Sequence, residues 1–216
     1  MVKDEQRCVI VCASPDLTSE FVIQKIQPDD YVICADAGAD VLLLAGIVPN
    51  VIVGDFDSSQ HYSYFQTTEK IYLSVHKEET DTMHCAEEAV KRGFKQILLI
   101  GATGGRLDHT LANLSVLLYL SQNGIYAEMQ DQFNTAVLLQ KGTNILEDVK
   151  GKTISVIPFA CDSAVLTYSG LYYPLDKGLV KASYPYTISN YATEETVKII
   201  LHRGTALMII SESLPA

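Results

Sequence analysis

The sequence predicts an α/β fold in two parts: a parallel sheet with intervening helices over residues 1–131, then an all-β part over 132–216, a sandwich or a barrel. Three observations predict it. Apolar strand-like runs alternate with helical patterns through the first part, and glycines stand where the helices stop. After about residue 131 the texture changes to short Val/Ile/Thr/Tyr-rich runs separated by Gly, Pro, Asn and Asp.

The strands expected in the first part are Arg7–Ala13, Tyr31–Ala35, Val51–Val53, Ile71–Val75, Gln96–Ile100 and Tyr126–Gln130. Helical spacing fills the gaps over Asp16–Ile26, Ala37–Ala45, Asp81–Arg92 and Leu107–Ser121. Gly46, Gly93 and Gly124 follow three of these helices, where a left-handed closing residue favours glycine. Strands separated by helices are joined by crossovers, so they run parallel. The later runs are Thr135–Gln140, Thr153–Phe159, Ala164–Tyr168, Tyr186–Asn190, Glu195–Leu201 and Ala206–Ser211. No repeat, low-complexity tract or long linker separates the two parts, only a change of period.

A chain of 216 residues that is 48% hydrophobic can bury a sizeable core. Its net charge of −10 opposes long-range attraction to nucleic acid or anionic lipid, so neither is an expected partner. A phosphate ligand would then need a local cluster of donors or a bound cation. The apolar run Cys8–Ala13 is too short for a secretory signal, and no run reaches transmembrane length. Five cysteines, an odd number without framework spacing, read as reduced thiols, which points to the cytoplasm.

Chemistry-bearing residues gather just past the expected strands. Asp36 follows the second strand, and Gly54-Asp55-Phe56-Asp57-Ser58 follows the third. In open parallel sheets, ligands bind beyond the carboxyl ends of strands. If the extended conformation persists, alternation turns Asp55 and Asp57 the same way, toward one metal. Lys77-Glu-Glu-Thr80-Asp81 leads into the third helix, where Thr80 suits an N-cap and Asp81 the first turn. Gly101-Ala-Thr-Gly104-Gly105-Arg106-Leu-Asp108-His109 joins the fifth strand to the fourth helix, where a phosphate-binding turn belongs. It has neither the ending of a P-loop nor the spacing of a dinucleotide fingerprint. Helical spacing sets Arg106, His109 and Asn113 on one face, and Leu107, Leu111, Leu114 and Leu118 on the other, toward the core. Hard carboxylate oxygens beside phosphate-reading donors indicate a metal–nucleotide enzyme. His84-Cys85 lacks a second pair at zinc-finger spacing, and Cys8 and Cys12 read as core residues.

The chain resembles the bacterial thiamine pyrophosphokinases over nearly its whole length. The resemblance rests on Ala35-Asp-Ala-Gly-Ala39, Gly54-Asp-Phe-Asp-Ser58, Lys77-Glu-Glu-Thr-Asp81, Gly101-Ala-Thr-Gly-Gly-Arg-Leu-Asp-His109, Gly170-Leu-Tyr-Tyr-Pro-Leu175 and Ile188-Ser-Asn190. It implies a Rossmann-like catalytic domain followed by a β-sandwich that binds thiamine and dimerises, in a homodimer whose thiamine pocket lies between subunits. The implied reaction moves the pyrophosphoryl group of ATP to the hydroxyl of thiamine, with Mg²⁺, giving thiamine diphosphate and AMP. By the same resemblance Asp55, Asp57, Asp81 and Asp108 are catalytic, the first three of them as metal ligands. Asp36, Gly38, Ser58, Lys77, Thr80, Gly104, Gly105, Arg106, His109 and Asn113 hold the nucleotide, and Ser189 and Asn190 hold thiamine. Two positions depart from the family pattern: Ala37 replaces a usual glycine, and Tyr191 a usual acidic residue.

The strand-plus-Asp-x-Asp pattern also occurs in haloacid-dehalogenase-like phosphohydrolases, where Asp55 would be the nucleophile, but in those it comes early in the chain. A non-catalytic thiamine- or nucleotide-binding module is a third reading, against which the carboxylates weigh.

Overall fold

The structure, a computed structural model, describes residues 6–56, 61–74, 79–184 and 186–212. Asp57, Ser58 and Lys77 lie outside the described residues, as does Val75 at the end of an expected strand. The chain divides into two compact units, Met1–Gln132 and Phe133–Ala216.

The first unit alternates β1 (Cys8–Val11), α1 (Ser19–Lys25), β2 (Tyr31–Ala35), α2 (Gly38–Ala45), β3 (Val51–Gly54), β4 (Glu69–Tyr72), α3 (Asp81–Lys91), β5 (Gln96–Ile100), α4 (Leu107–Gln122) and β6 (Tyr126–Gln130). Its strands pair in parallel in the order β6-β5-β1-β2-β3-β4. The chain therefore advances from β1 to the β4 edge and then returns to the other side of β1. That reversal between β1 and β5 opens a crevice at the carboxyl ends of the strands.

Burial explains why these runs form strands: every residue of β1 and β3 is buried, as a sheet covered on both faces requires. Thr18 caps α1 by accepting from the Phe21 N–H, and Thr80 caps α3 by accepting from the Met83 N–H. Gly46, Gly93 and Gly124 all hold positive φ after α2, α3 and α4. On α3 the buried set Thr82, Cys85, Ala86 and Ala89 has the spacing of one helical face.

Two expectations for this unit need correction. The strand expected over Ile71–Val75 lies at Glu69–Tyr72, where Glu69 bonds Arg92 Nη2 at 2.6 Å and ties this edge strand to the end of α3. On α4 the buried side chains are Asn113, Val116, Leu117 and Leu120, while Leu107 and Leu111 are exposed. The helix is thus turned from the expected orientation, with Asn113 inward.

In the second unit, β7 (Asn134–Leu138), β8 (Gly142–Leu146), β9 (Thr153–Pro158), β10 (Ser163–Ser169), β11 (Leu175–Lys181), β12 (Asn190–Tyr191), β13 (Val197–Arg203) and β14 (Ala206–Ser211) form two antiparallel sets. One has the order β12-β9-β14-β7 and the other β11-β10-β13-β8. Burial alternates residue by residue along β9 and β10, and one core draws Ile154, Val156 and Met208 from the first set and Leu166, Ile199 and Leu201 from the second. Strands β8 and β11 were not expected, and of the run expected over Tyr186–Asn190 only Asn190 enters a strand, β12, although Thr187 also bonds Val156 of β9. With Asp176, Lys177 and Gly178 inside it, β11 carries little intrinsic strand signal.

Candidate active site

The crevice in the first unit is a cavity of about 320 Å³. Cys12, Ala13 and Ser14 enter it from the end of β1, Asp36 and Ala37 from β2, and Gly101 to Gly104 from β5. Thr80, Asp81 and Thr82 come from the start of α3, and His109 and Asn113 from α4. Six expected site residues are therefore brought together: Asp36, Thr80, Asp81, Gly104, His109 and Asn113.

Asp36 is 4% exposed and holds φ 29°, a left-handed value that bulkier residues avoid and aspartate tolerates better than most. Its N–H donates to Val53 O at 2.9 Å, which fastens the corner to β3. A Cβ on Gly54 would lie 2.8 Å from the Asp36 Cβ, so only glycine lets β3 pass beside this carboxylate. At Gly38 a Cβ would meet Val11 O at 2.6 Å, so close packing also calls for glycine there. Ala37, at φ −63°, occupies an ordinary right-handed helical conformation that needs no glycine.

Asp55 follows Gly54 directly and is half-buried. The next residue, Phe56, has φ 63°, so the extended conformation ends there and the strand alternation with it. Asp57 and Ser58 lie outside the described residues, as does Lys77.

The glycine-rich turn is fastened on several sides. Ser14 Oγ donates to Thr103 O at 2.6 Å, Asn113 Nδ2 donates to Ala102 O at 2.8 Å, and Thr103 Oγ1 donates to Asp131 Oδ2 at 2.9 Å. Gly104 has φ 88°, and a Cβ on it would meet the Asp16 carboxylate at 2.1 Å. Asp16 Oδ2 accepts from the Gly105 N–H at 3.2 Å, so one donor expected to read phosphate is bonded within the chain. Asn113 likewise uses its amide N–H to hold the turn.

Arg106 and Asp108 face each other at the surface, outside the cavity lining, with Nη2 2.5 Å from Oδ2 and Nε 3.1 Å from Oδ1. The guanidinium, helped by the His109 N–H, holds the Asp108 carboxyl down at about 2, which makes it a poor proton acceptor. Burial pushes the thiol of Cys12, a residue of the cavity lining, up to about 12, so it stays neutral; Thr82 Oγ1 donates to its sulfur at 3.6 Å. Sequence reasoning missed Ser14, Thr82 and Thr103. The strand-end rule that selected Asp36 would have found Ser14, three residues past β1.

In the second unit, Asn190 is 5% exposed and its amide is committed: Nδ2 donates to Tyr173 O at 2.9 Å, and Oδ1 accepts from the Tyr173 and Tyr191 N–H groups. Its role is to join two chain segments. Ser189 is exposed with φ 56°, and its N–H donates to Ser155 Oγ at 2.9 Å. Tyr172 stacks on Tyr191 at 4.6 Å and meets Tyr173 edge-on at 4.8 Å. Tyr184, Tyr186 and Tyr191 are all exposed, so none of them fills the core.

Residues 23–129 match the family model described as thiamin pyrophosphokinase, catalytic domain, and residues 142–205 match thiamin pyrophosphokinase, vitamin B1 binding domain. The thiamine pyrophosphokinase of Bacillus subtilis (strain 168) is 31% identical over 182 residues, covering 82% of this chain and 85% of that protein. Thiamine pyrophosphokinase 1 of Oryza sativa subsp. japonica is 30% identical over 166 residues, 70% of this chain and 62% of that one. The crystal structure of the Bacillus subtilis enzyme superposes with TM-score 0.88 at 27% identity, over 97% of this chain and all of that one. That of Geobacillus thermodenitrificans thiamin pyrophosphokinase does so with TM-score 0.85 at 27% identity, over 96% and 98%. With both parts of its length matched by the two domain models of one family, the chain belongs to the thiamine pyrophosphokinases.

Proposed function

We propose that this protein transfers the pyrophosphoryl group of ATP to the hydroxyl of thiamine, giving thiamine diphosphate and AMP. The observation that carries the reading is the meeting of Asp36 and Asp81 with a glycine-rich turn in one cavity, inside the region matched by the catalytic-domain model. The family match displaces the phosphohydrolase reading, and with it Asp55 as a nucleophile.

In this reading the fold is a Rossmann-like ATP-binding domain followed by a β-sandwich that binds thiamine and dimerises, in a cytoplasmic homodimer. The donor set suits Mg²⁺. Among the described residues no group of three or more His, Cys, Asp or Glu side chains converges, whereas Mg²⁺ takes one or two carboxylates and fills its remaining positions from substrate phosphates and water. Asp36, Asp55, Asp57 and Asp81 are the candidates to hold it. When bound, it neutralises charge developing on the phosphates.

The chain's own residues then have simple tasks. The turn from Gly101 to Gly105, with Thr80, Ser58 and Lys77, orients the phosphates, and His109 stands at the cavity for hydrogen bonding. Asp81 is the better-placed proton acceptor for the thiamine hydroxyl, because Asp108 is tied to Arg106 and acidified. Ser189 supplies a hydroxyl toward thiamine, and Asn190 sets the backbone that presents it. Catalysis rests on alignment and charge stabilisation, as in other phosphoryl transfers.

The test is turnover with ATP, Mg²⁺ and thiamine. AMP and thiamine diphosphate should form together, and EDTA should stop both. Asp55→Asn should lower kcat on the order of 10²-fold. Undiminished turnover in EDTA contradicts the metal assignment, and near-normal kcat in folded Asp55→Asn protein contradicts the role of that carboxylate.

A further inference from the structure

Phe56 sits between two candidate metal-binding aspartates in a conformation that a bulky residue does not adopt without cause. Its φ of 63° lies in the left-handed region, where a phenylalanine is a genuine outlier. Such a conformation persists only when its surroundings over-determine it.

Those surroundings are two tyrosines from different chain segments. The Phe56 ring centroid lies 4.6 Å from that of Tyr62, tilted by 51°, and 4.7 Å from that of Tyr72, tilted by 50°. Both spacings fall in the range of favourable aromatic pairs. Tyr72 ends β4 and is the register partner of Gly54, and the Leu73 N–H donates to Gly54 O at 2.9 Å. Tyr62 opens the short 3₁₀ turn Tyr62–Tyr64 and packs, with Phe56, against the core that includes Val11, Cys34 and Ile52. The ring thus packs on both an edge strand and a core-anchored turn.

Resting on the reading that the strand-end aspartates hold the metal–nucleotide, we propose that Phe56 is a positioning residue. Its ring, clamped between Tyr62 and Tyr72, locks the left-handed corner that ends β3 and so fixes the direction of the Asp55 carboxylate. A residue that only filled space would need no left-handed backbone, and its loss would lower stability without altering metal binding. Supporting groups behind metal ligands act differently, since removing them weakens the metal directly.

The experiment compares wild type with Phe56→Gly, Tyr72→Ala and Tyr72→Phe. Glycine adopts the left-handed conformation freely but has no ring. Tyr72 is 70% exposed, so its truncation leaves the fold standing. Mn²⁺ binding in the presence of ATP is read from the electron paramagnetic resonance signal of free Mn²⁺, alongside kcat, the thiamine KM and the melting temperature. Phe56→Gly and Tyr72→Ala should each weaken Mn²⁺ binding and lower kcat by about tenfold or more, with the thiamine KM changed less than about twofold. Tyr72→Phe should match wild type. Folded Tyr72→Ala protein within twofold of wild type in both Mn²⁺ binding and kcat overturns the clamp, as does Tyr72→Phe behaving like Tyr72→Ala. Wild type that binds Mn²⁺ and ATP but forms no AMP overturns the proposed function instead, and the Mn²⁺ comparison still decides for or against the clamp.

Discussion

Asp36 and Gly54 form a close juxtaposition at the site. The aspartate turns a left-handed corner at the end of β2, and the absence of a side chain on Gly54 is what leaves room for it. In Gly54→Ala the new methyl would stand 2.8 Å from the Asp36 Cβ, so the corner or the strand must move. A displacement of this kind should lower turnover about tenfold or more and cost about 1–3 kcal/mol in stability. Activity together with thermal unfolding checks it, and an unperturbed variant would show that the two strands slide apart freely. Asp36, Asp81 and His109 were legible in the sequence because each follows a strand or opens a helix. The strain at Asp36 and Phe56 was not, since it arises from neighbours distant in the chain. The use of the Asn190 amide within the fold was hidden for the same reason.

At the scale of elements, α4 shows where periodicity runs out. From Leu111 to Leu120 the helix is apolar on several faces, so a stripe through Leu107, Leu111, Leu114 and Leu118 and another through Val116, Leu117 and Leu120 were both available. Tertiary structure chose the second, fixed by the bond from Asn113 to Ala102 O. Leu117→Ala should therefore cost about 2–5 kcal/mol by leaving a core cavity, whereas Leu111→Ser should stay within about 0.5 kcal/mol. Urea denaturation separates the two, and equal effects would restore the first stripe. The boundaries of β2, β5 and β14 agree with the sequence because each is a short, largely apolar run flanked by breakers, and those of β6 agree through its alternation between Gly124 and Asp131. Strand β11, with Asp176, Lys177 and Gly178 inside it, is held by pairing with β10 rather than by its own propensity.

At the scale of the whole molecule, the composition anticipates a reduced protein, and all five cysteines are free. Cys8, Cys12, Cys34 and Cys85 are buried, and burial drives the thiols of Cys12, Cys34 and Cys85 upward, away from the reactive thiolate. Titration of the native protein with a chromogenic disulfide should modify Cys161 ahead of the other four, which should react only on unfolding. Rapid modification of all five would contradict this core. None of the described helices is long and apolar enough to cross a membrane.

Two phosphoryl groups pass together from ATP to a thiamine hydroxyl. ATP labelled at the β-phosphorus tests it most directly, with wild-type protein, Mg²⁺ and thiamine. The label should pass wholly into thiamine diphosphate while unlabelled AMP forms in equal amount. Label retained in ADP, with thiamine monophosphate as the other product, would contradict it.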